Sequence, residues 1–135
     1  MTALSNELGA VSEGYFGEVY LIIHRDTQWV YANNLEATPP ESLPDFGWSL
    51  AVSGRQVAVG APLTGLVYLY SVAADGSSQL QAELPVSGMR YGFGSALAMN
   101  QHWLAAGDSR DTVAGNVERG SVYLYPLQAG GWPVQ

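Results

Sequence analysis

From Phe46 to Val72 the chain reads FGWSLAVSGRQVAVGAPLTGLVYLYSV, short apolar runs each broken by a polar or Gly/Pro turn. No stretch of the sequence sustains apolar residues at i, i+3, i+4 and i+7, the stripe an amphipathic helix needs. Val, Tyr, Trp and Leu cluster instead in runs of strand length, where β-branched and aromatic side chains pack well on a pleated surface. With 16 Gly and 7 Pro punctuating those runs, the pattern predicts an all-β chain.

The pattern returns further along. A shift of 47 residues lays FGWSLAVSGRQVAVGAP, from Phe46, over FGSALAMNQHWLAAGDS, from Phe93, with Phe-Gly, Leu-Ala, a central Ala and a late Gly in common. GEVYLI from Gly17, GLVYLY from Gly65 and GSVYLY from Gly120 recur at spacings of 48 and 55, the longer one holding an insertion, DSRDTVAGNVER. A period near 50 with variable loops marks a repeat architecture, each unit being one supersecondary motif.

Each unit reads as four strands. The first follows Phe-Gly, at Ser49–Ser53 and Ala96–Asn100. A tight turn, Ser53-Gly54-Arg55 or Asn100-Gln101-His102, leads to the second, at Gln56–Gly60 and Trp103–Gly107. The third covers Glu18–Ile23, Leu66–Val72 and Ser121–Leu127; the fourth covers Gln28–Ala32, Gln79–Leu84 and Gly131–Val134, with Trp29, Leu80 or Trp132 at a similar point. Val67, Tyr68, Leu69 and Tyr70 show no polar alternation, so both faces of that strand are expected to be covered. A four-stranded sheet covered on both faces by copies of itself is a propeller blade. In the first unit, strands two to four fall around Leu4–Gly9, Glu18–Ile23 and Gln28–Ala32, with no Phe-Gly strand before them. The prediction is one partial β-propeller over residues 1–135, with about three four-stranded blades in units 1–44 (incomplete), 45–90 and 91–135, and about eleven strands.

In order and spacing these motifs resemble the FG-GAP repeat, the unit of the seven-bladed β-propeller of integrin alpha subunits and many bacterial surface proteins. Phe46-Gly47, Gly60-Ala61-Pro62 and the Gly65–Tyr70 run carry the resemblance in one unit; Phe93-Gly94, Gly107-Asp108-Ser109 and Gly120–Tyr125 carry it in the next. It extends over roughly residues 8 to 135 and is only partial in the first unit. The family often binds calcium in the loop between strands one and two, through an Asp-x-Asp-x-Asp-Gly run. The loops here, SGR and NQH, hold no carboxylate, and hard cations need about six to eight oxygen ligands, so no calcium site is carried over.

Composition narrows the function classes. Hydrophobic residues make up 47% of the 135 and charged ones 13%, which excludes a disordered tail. No apolar run approaches the roughly 18 residues of a membrane helix. The first residues, MTALSNELGA, lack the basic-then-apolar order of a signal peptide. Net charge is −7, there is no Lys, and Arg25, Arg55, Arg90, Arg110 and Arg119 are scattered, which argues against nucleic acid. With no Cys, disulfides and thiolate chemistry are excluded.

Catalytic chemistry finds little support. His24 and His102 lie in different units at different turns, no G-x-S-x-G elbow exists, and GMRYGFG lacks the Lys-Ser/Thr ending of a phosphate loop. Tyr20, Tyr68, Tyr70, Tyr123 and Tyr125 read as packing between blades, whereas Trp48 and Tyr91 flank the Phe-Gly motifs near the loops.

The resemblance implies a non-enzymatic scaffold for protein interaction or adhesion, at the cell surface, outside the cell or in the periplasm, with no cofactor. A carbohydrate-binding lectin and an accessory propeller of a larger enzyme are the alternatives. Loops joining strand two to three, and strand four to the next unit, share one rim, which takes in Tyr15, Phe16, Pro39, Pro40, Glu41, Asp45, Leu63 and Met89. The candidate ligand-binding residues are Trp48, Arg90, Tyr91, Asp108, Arg110, Asp111, Asn116 and Glu118, with a protein or glycan as partner. Three blades do not close a ring, so a homo-oligomer or a piece of a longer propeller is expected.

Overall fold

The computed structural model describes residues 1–13, 17–36, 45–85 and 91–126. They form three antiparallel sheets. The first contains β1 (Thr2–Leu4), β2 (Leu8–Glu13), β3 (Glu18–Arg25) and β4 (Gln28–Glu36), in that order. The second contains β5 (Ser49–Ser53), β6 (Gln56–Ala61), β7 (Leu66–Val72) and β8 (Ser78–Leu84). The third contains β9 (Phe93–Met99), β10 (Trp103–Asp108) and β11 (Ser121–Pro126). The expected fourth strand of that unit, 131–134, lies outside the described residues.

The repeat extends to register. Ala58 faces Leu69 in the second sheet, Ala105 faces Leu124 in the third, and Ala10 faces Leu21 in the first. The third–fourth strand pairing slips at the same place in two sheets, between Leu21 and Ile22 and between Leu69 and Tyr70. This register pairs Ile22 with Tyr31 and Tyr70 with Leu80, so the counterpart of Leu80 is Tyr31 rather than Trp29.

The first unit differs from the sequence reading. It has a first strand after all: Thr2–Leu4 pairs with Val11–Gly9, and the expected strand at Leu4–Gly9 is mostly the turn between β1 and β2. Ser5 closes that turn, its Oγ accepting from the Leu8 N–H at 3.1 Å. Three residues give too short a run for periodicity to register.

Phe-Gly works as a seat. Phe46 and Phe93 are fully buried, and each meets two tyrosines of strand three edge-on: Tyr68 and Tyr70 at 5.4 and 6.4 Å, Tyr123 and Tyr125 at 5.8 and 6.2 Å. Such ring pairs add about 0.5–1.5 kcal/mol beyond burial. The following glycines hold φ of +92° at Gly47 and +86° at Gly94, and a Cβ would lie 2.8 Å from Ser12 Cβ in the first case and 2.9 Å from Val67 Cγ2 in the second. Across each interface a serine hydroxyl donates to the seated glycine carbonyl at 2.6 Å, Ser12 to Gly47 and Ser49 to Gly94.

Two cores result, one on each side of the second sheet. Leu50, Val57, Val59, Tyr68 and Tyr70 pack against Leu8, Ala10, Val19, Leu21 and Leu35 of the first sheet. Ala51, Ala58, Val67, Leu69 and Leu84 pack against Phe93, Leu104, Ala106 and Tyr123 of the third. β7 is therefore covered on both faces, as its sequence implies. β11 alternates instead, with Val122 and Leu124 more than three-fifths exposed. The sheets come closest along their first strands, β1 and β2 against β5, and β5, β6 and β7 against β9.

Candidate functional site

Antiparallel order puts the β6–β7 and β10–β11 loops on the same rim as the residues that lead into β5 and β9. There, Trp48, Pro62, Leu63, Tyr91, Ser109 and Arg110 line a cleft of about 150 Å³, floored by Gly92 and Ser95. Trp48, Leu63 and Tyr91 are each about half exposed, at 55%, 51% and 53%. The Arg110 guanidinium carbon sits 4.4 Å above the centre of the Tyr91 ring. This stacking fixes both side chains while leaving guanidinium donors free to fork onto a carboxylate or a pair of hydroxyls.

Buried carboxylates shape the loops behind the cleft. In the second unit Asp45, 4% exposed, accepts from the Leu63 N–H at 2.5 Å. In the third, Asp108, 2% exposed, accepts from the Arg110 N–H at 3.1 Å. Leu63 and Arg110 are repeat equivalents, 47 residues apart. The carboxylate has changed position: the second unit carries Asp45 before Phe-Gly and Ala61 after strand two, the third carries Gly92 and Asp108. A Cβ on Gly92 would lie 2.9 Å from Asp108 Oδ1, so the two arrangements are mutually exclusive. Asp45 Oδ1 has no hydrogen-bond partner among the described residues.

The candidate residues thus divide. Trp48, Tyr91 and Arg110 meet in the cleft. Asp108 is buried and committed to its loop, and Asp45, expected on the rim, is too. Asp111 accepts from the Tyr123 hydroxyl, while its carbonyl takes the Arg119 and Gly120 N–H groups, closing the base of the insertion. Asn116 and Val113 form a small bridge at the tip, bonded in both directions. Glu118 is exposed there, with a φ of 54°. Arg90 lies outside the described residues, as do Tyr15, Phe16, Pro39, Pro40, Glu41 and Met89. Among the described residues no group of three His, Cys, Asp or Glu side chains is placed to hold a metal ion.

Pro62, Ser95 and Ser109 were not among the candidate binding residues, although Pro62 and Ser109 belong to the repeat motifs. Superposing the two units on the 47-residue shift finds the last, since Ser109 falls on Pro62 and Arg110 on Leu63. At the opposite rim, Glu7 and Arg55 pair at 3.2 Å and Ser5 donates to the Gly54 carbonyl at 2.9 Å, tying the first two sheets together. Both ions are well exposed, so the pair contributes little.

Tyr68 lies between the rim and the core. Burial, aided by the Glu83 and Asp45 carboxylates, pushes its hydroxyl up to about 12. Burial pushes Tyr70 further up still, with Tyr68 and Glu83 adding to it. Both stay neutral, which suits packing between sheets and leaves no phenolate for chemistry. No helix among the described residues is long and apolar enough to cross a membrane. The cleft offers aromatic faces, an aliphatic wall and one cation. No protein-family model matches the sequence, and no curated protein matches it.

Proposed function

We propose that the three sheets are blades of an FG-GAP-type propeller and that the protein is a non-enzymatic binding scaffold, taking a protein ligand at the Trp48–Tyr91–Arg110 cleft. The observation that carries this reading is the joining of two consecutive units at that cleft: Trp48 and Leu63 come from one, Tyr91 and Arg110 from the next. Each half is set on a buried Phe-Gly seat, so the exposed side chains are positioned by the core rather than by loop chemistry alone. Convergence of the sheets along their first strands supports the radial arrangement of a propeller. Loops on a rigid scaffold are where recognition concentrates.

A peptide with an apolar side chain beside a carboxylate fits these groups, the apolar part against Trp48 and Leu63 and the carboxylate on Arg110. A glycan is the second reading, favoured by the exposed Trp48 ring next to guanidinium donors. An accessory role in a larger enzyme follows from the same scaffold. The resemblance places such a protein outside the cell, in the periplasm or at the cell surface.

Peptide and glycan arrays probed with the wild type, Trp48→Ala and Arg110→Ala separate the readings. Peptide signals lost in both variants support the first, and glycan signals lost in both support the second. Signals that persist in both variants, or their absence on both arrays, overturn the cleft as a binding site.

A further inference from the structure

Both internal interfaces follow one rule. Leu50, Val57, Val59, Tyr68 and Tyr70 form the front of the second sheet, against the first sheet. Their equivalents, Leu97, Leu104, Ala106, Tyr123 and Tyr125, form the front of the third, against the second. The backs match as well: Ala10, Val19 and Leu21 in the first sheet stand where Ala58, Val67 and Leu69 stand in the second. Each contact is a front on a back.

Two faces remain open among the described residues, one of each kind. The back of the third sheet presents Ala98, Ala105, Val122 and Leu124 at the positions of Ala51, Ala58, Val67 and Leu69. Val67 and Leu69 are 0% exposed, whereas Val122 and Leu124 are 68% and 63% exposed. Beside them, Gly107, Ser109, Gly120 and Val122 line a trough. Its counterpart in the second sheet holds the next unit: the Gly92 N–H donates to the Pro62 carbonyl at 2.8 Å, and Gly94 rests on Gly60 and Val67. The front of the first sheet presents Leu4, Val11, Tyr20 and Ile22 at the positions of Val52, Val59, Tyr68 and Tyr70, with Leu4 57% exposed and the other three half-buried. Among the described residues the open back carries no charged side chain and lacks the serines of the internal contacts, with Ala96 and Gly107 at the places of Ser49 and Ser12. It is built for apolar cover.

We propose that a second copy of this chain provides that cover, its first sheet docking front-on to the back of the third, and that two copies close reciprocally. The continuity with the internal interfaces selects this partner, because it repeats the front-on-back packing the chain already makes twice, without the Phe-Gly seat. Area selects closure. Three or four strands of about 20 Å, spaced about 5 Å, give a face of roughly 300–400 Å². One such contact falls short of the about 800 Å² per partner of a stable complex, and two approach it. A closed pair holds six sheets, inside the four-to-eight range of propellers. The proposal extends the propeller reading and is independent of any rim ligand.

Sedimentation velocity on the full chain tests it, with Leu124→Glu blocking the back and Leu4→Glu blocking the front. Both positions are exposed within one copy, so each variant should melt like the wild type. The wild type is expected as a dimer at tens of micromolar. Each variant alone should associate at least about 100-fold more weakly, since it buries an unpaired carboxylate. An equimolar mixture should stay weakly associated too, because it has one clean contact and the other carries both glutamates, and one contact falls short of a stable interface. Trp48→Ala should remain dimeric, which separates failure of the rim reading from failure of this one. A monomeric wild type, or either variant or their mixture dimerising as tightly as the wild type, overturns the proposal.

Discussion

Alanine at Gly60 and alanine at Gly107 are the same substitution at the same repeat position, and they should behave oppositely. A Cβ at Gly60 would sit 2.2 Å from the Gly94 carbonyl oxygen and 2.2 Å from Ser49 Oγ. The first of these atoms is backbone held by the Phe93 seat, so it has little room to give. Separating the sheets by the missing ångström loosens the second core, an overpacking cost of about 1–3 kcal/mol or more. It also breaks the Ser49–Gly94 hydrogen bond of 2.6 Å, for about another 1 kcal/mol. The sum, about 2–4 kcal/mol, is a large part of a domain's stability of about 5–15 kcal/mol. In a domain of this size it lowers the melting temperature by roughly 6–15 °C. At Gly107 the nearest atom to a new Cβ is 3.5 Å away, on its own sheet, and neither glycine has a positive φ. Alanine there should be neutral or stabilising by up to about 1 kcal/mol, through the unfolded chain. Melts followed by circular dichroism at sub-micromolar concentration read both. Equal effects, or a Gly60→Ala melt within two or so degrees of the wild type, would refute the front-on-back packing.

Asp45→Ala should cost about 1–3 kcal/mol by orphaning the Leu63 N–H, and adding Ala61→Asp with Gly at position 45 should restore most of it, by giving the second unit the third unit's arrangement; urea melts of the cycle check this. Alkaline pH should destabilise the fold through Tyr68, whose folded value of about 12 exceeds the unfolded 10. The unfolded state loses the proton first, so stability is intact below pH 10, falls between 10 and 12, and falls less in Tyr68→Phe; urea midpoints against pH report it. Replacing residues 113–118 with two glycines, with Asp108 and Asp111 kept, should change stability by less than about 1 kcal/mol, since loop closure depends weakly on length; a melt lower by 10 °C or so would mean that the insertion packs on the core.

The sequence made the repeat legible because its signals are chemically narrow. Few residues other than Phe fill the seat, only Gly takes the following turn, and the Val-Tyr-Leu-Tyr run must serve two cores at once. Among the described residues, strand positions in the second and third units follow from that, to within a residue or so except at β9, which begins at Phe93 rather than Ala96. β1 escaped because Thr2-Ala3-Leu4 carries no Phe-Gly and no alternation long enough to show. The rim was legible from topology alone, since alternate connections of an antiparallel sheet share an end. The fates of its carboxylates were not. Asp108 and Asp111 look like free ligands in DSRD, yet one caps the Arg110 N–H and the other holds a tyrosine hydroxyl. The alternation of Asp45–Ala61 with Gly92–Asp108 was visible on the 47-residue shift, but its meaning needs the geometry that brings both positions to one point.

Amide hydrogen exchange at sub-micromolar concentration tests most directly the claim that three sheets stack in series with the second covered on both faces. The slowest amides should lie in β6 and β7, where every ladder bond sits between two cores, and β3 and β10 should exchange sooner, because each has one face that no described sheet covers. If β10 and β11 prove as protected as β6 and β7 under those conditions, or if β7 exchanges with the outer strands, the serial arrangement is contradicted.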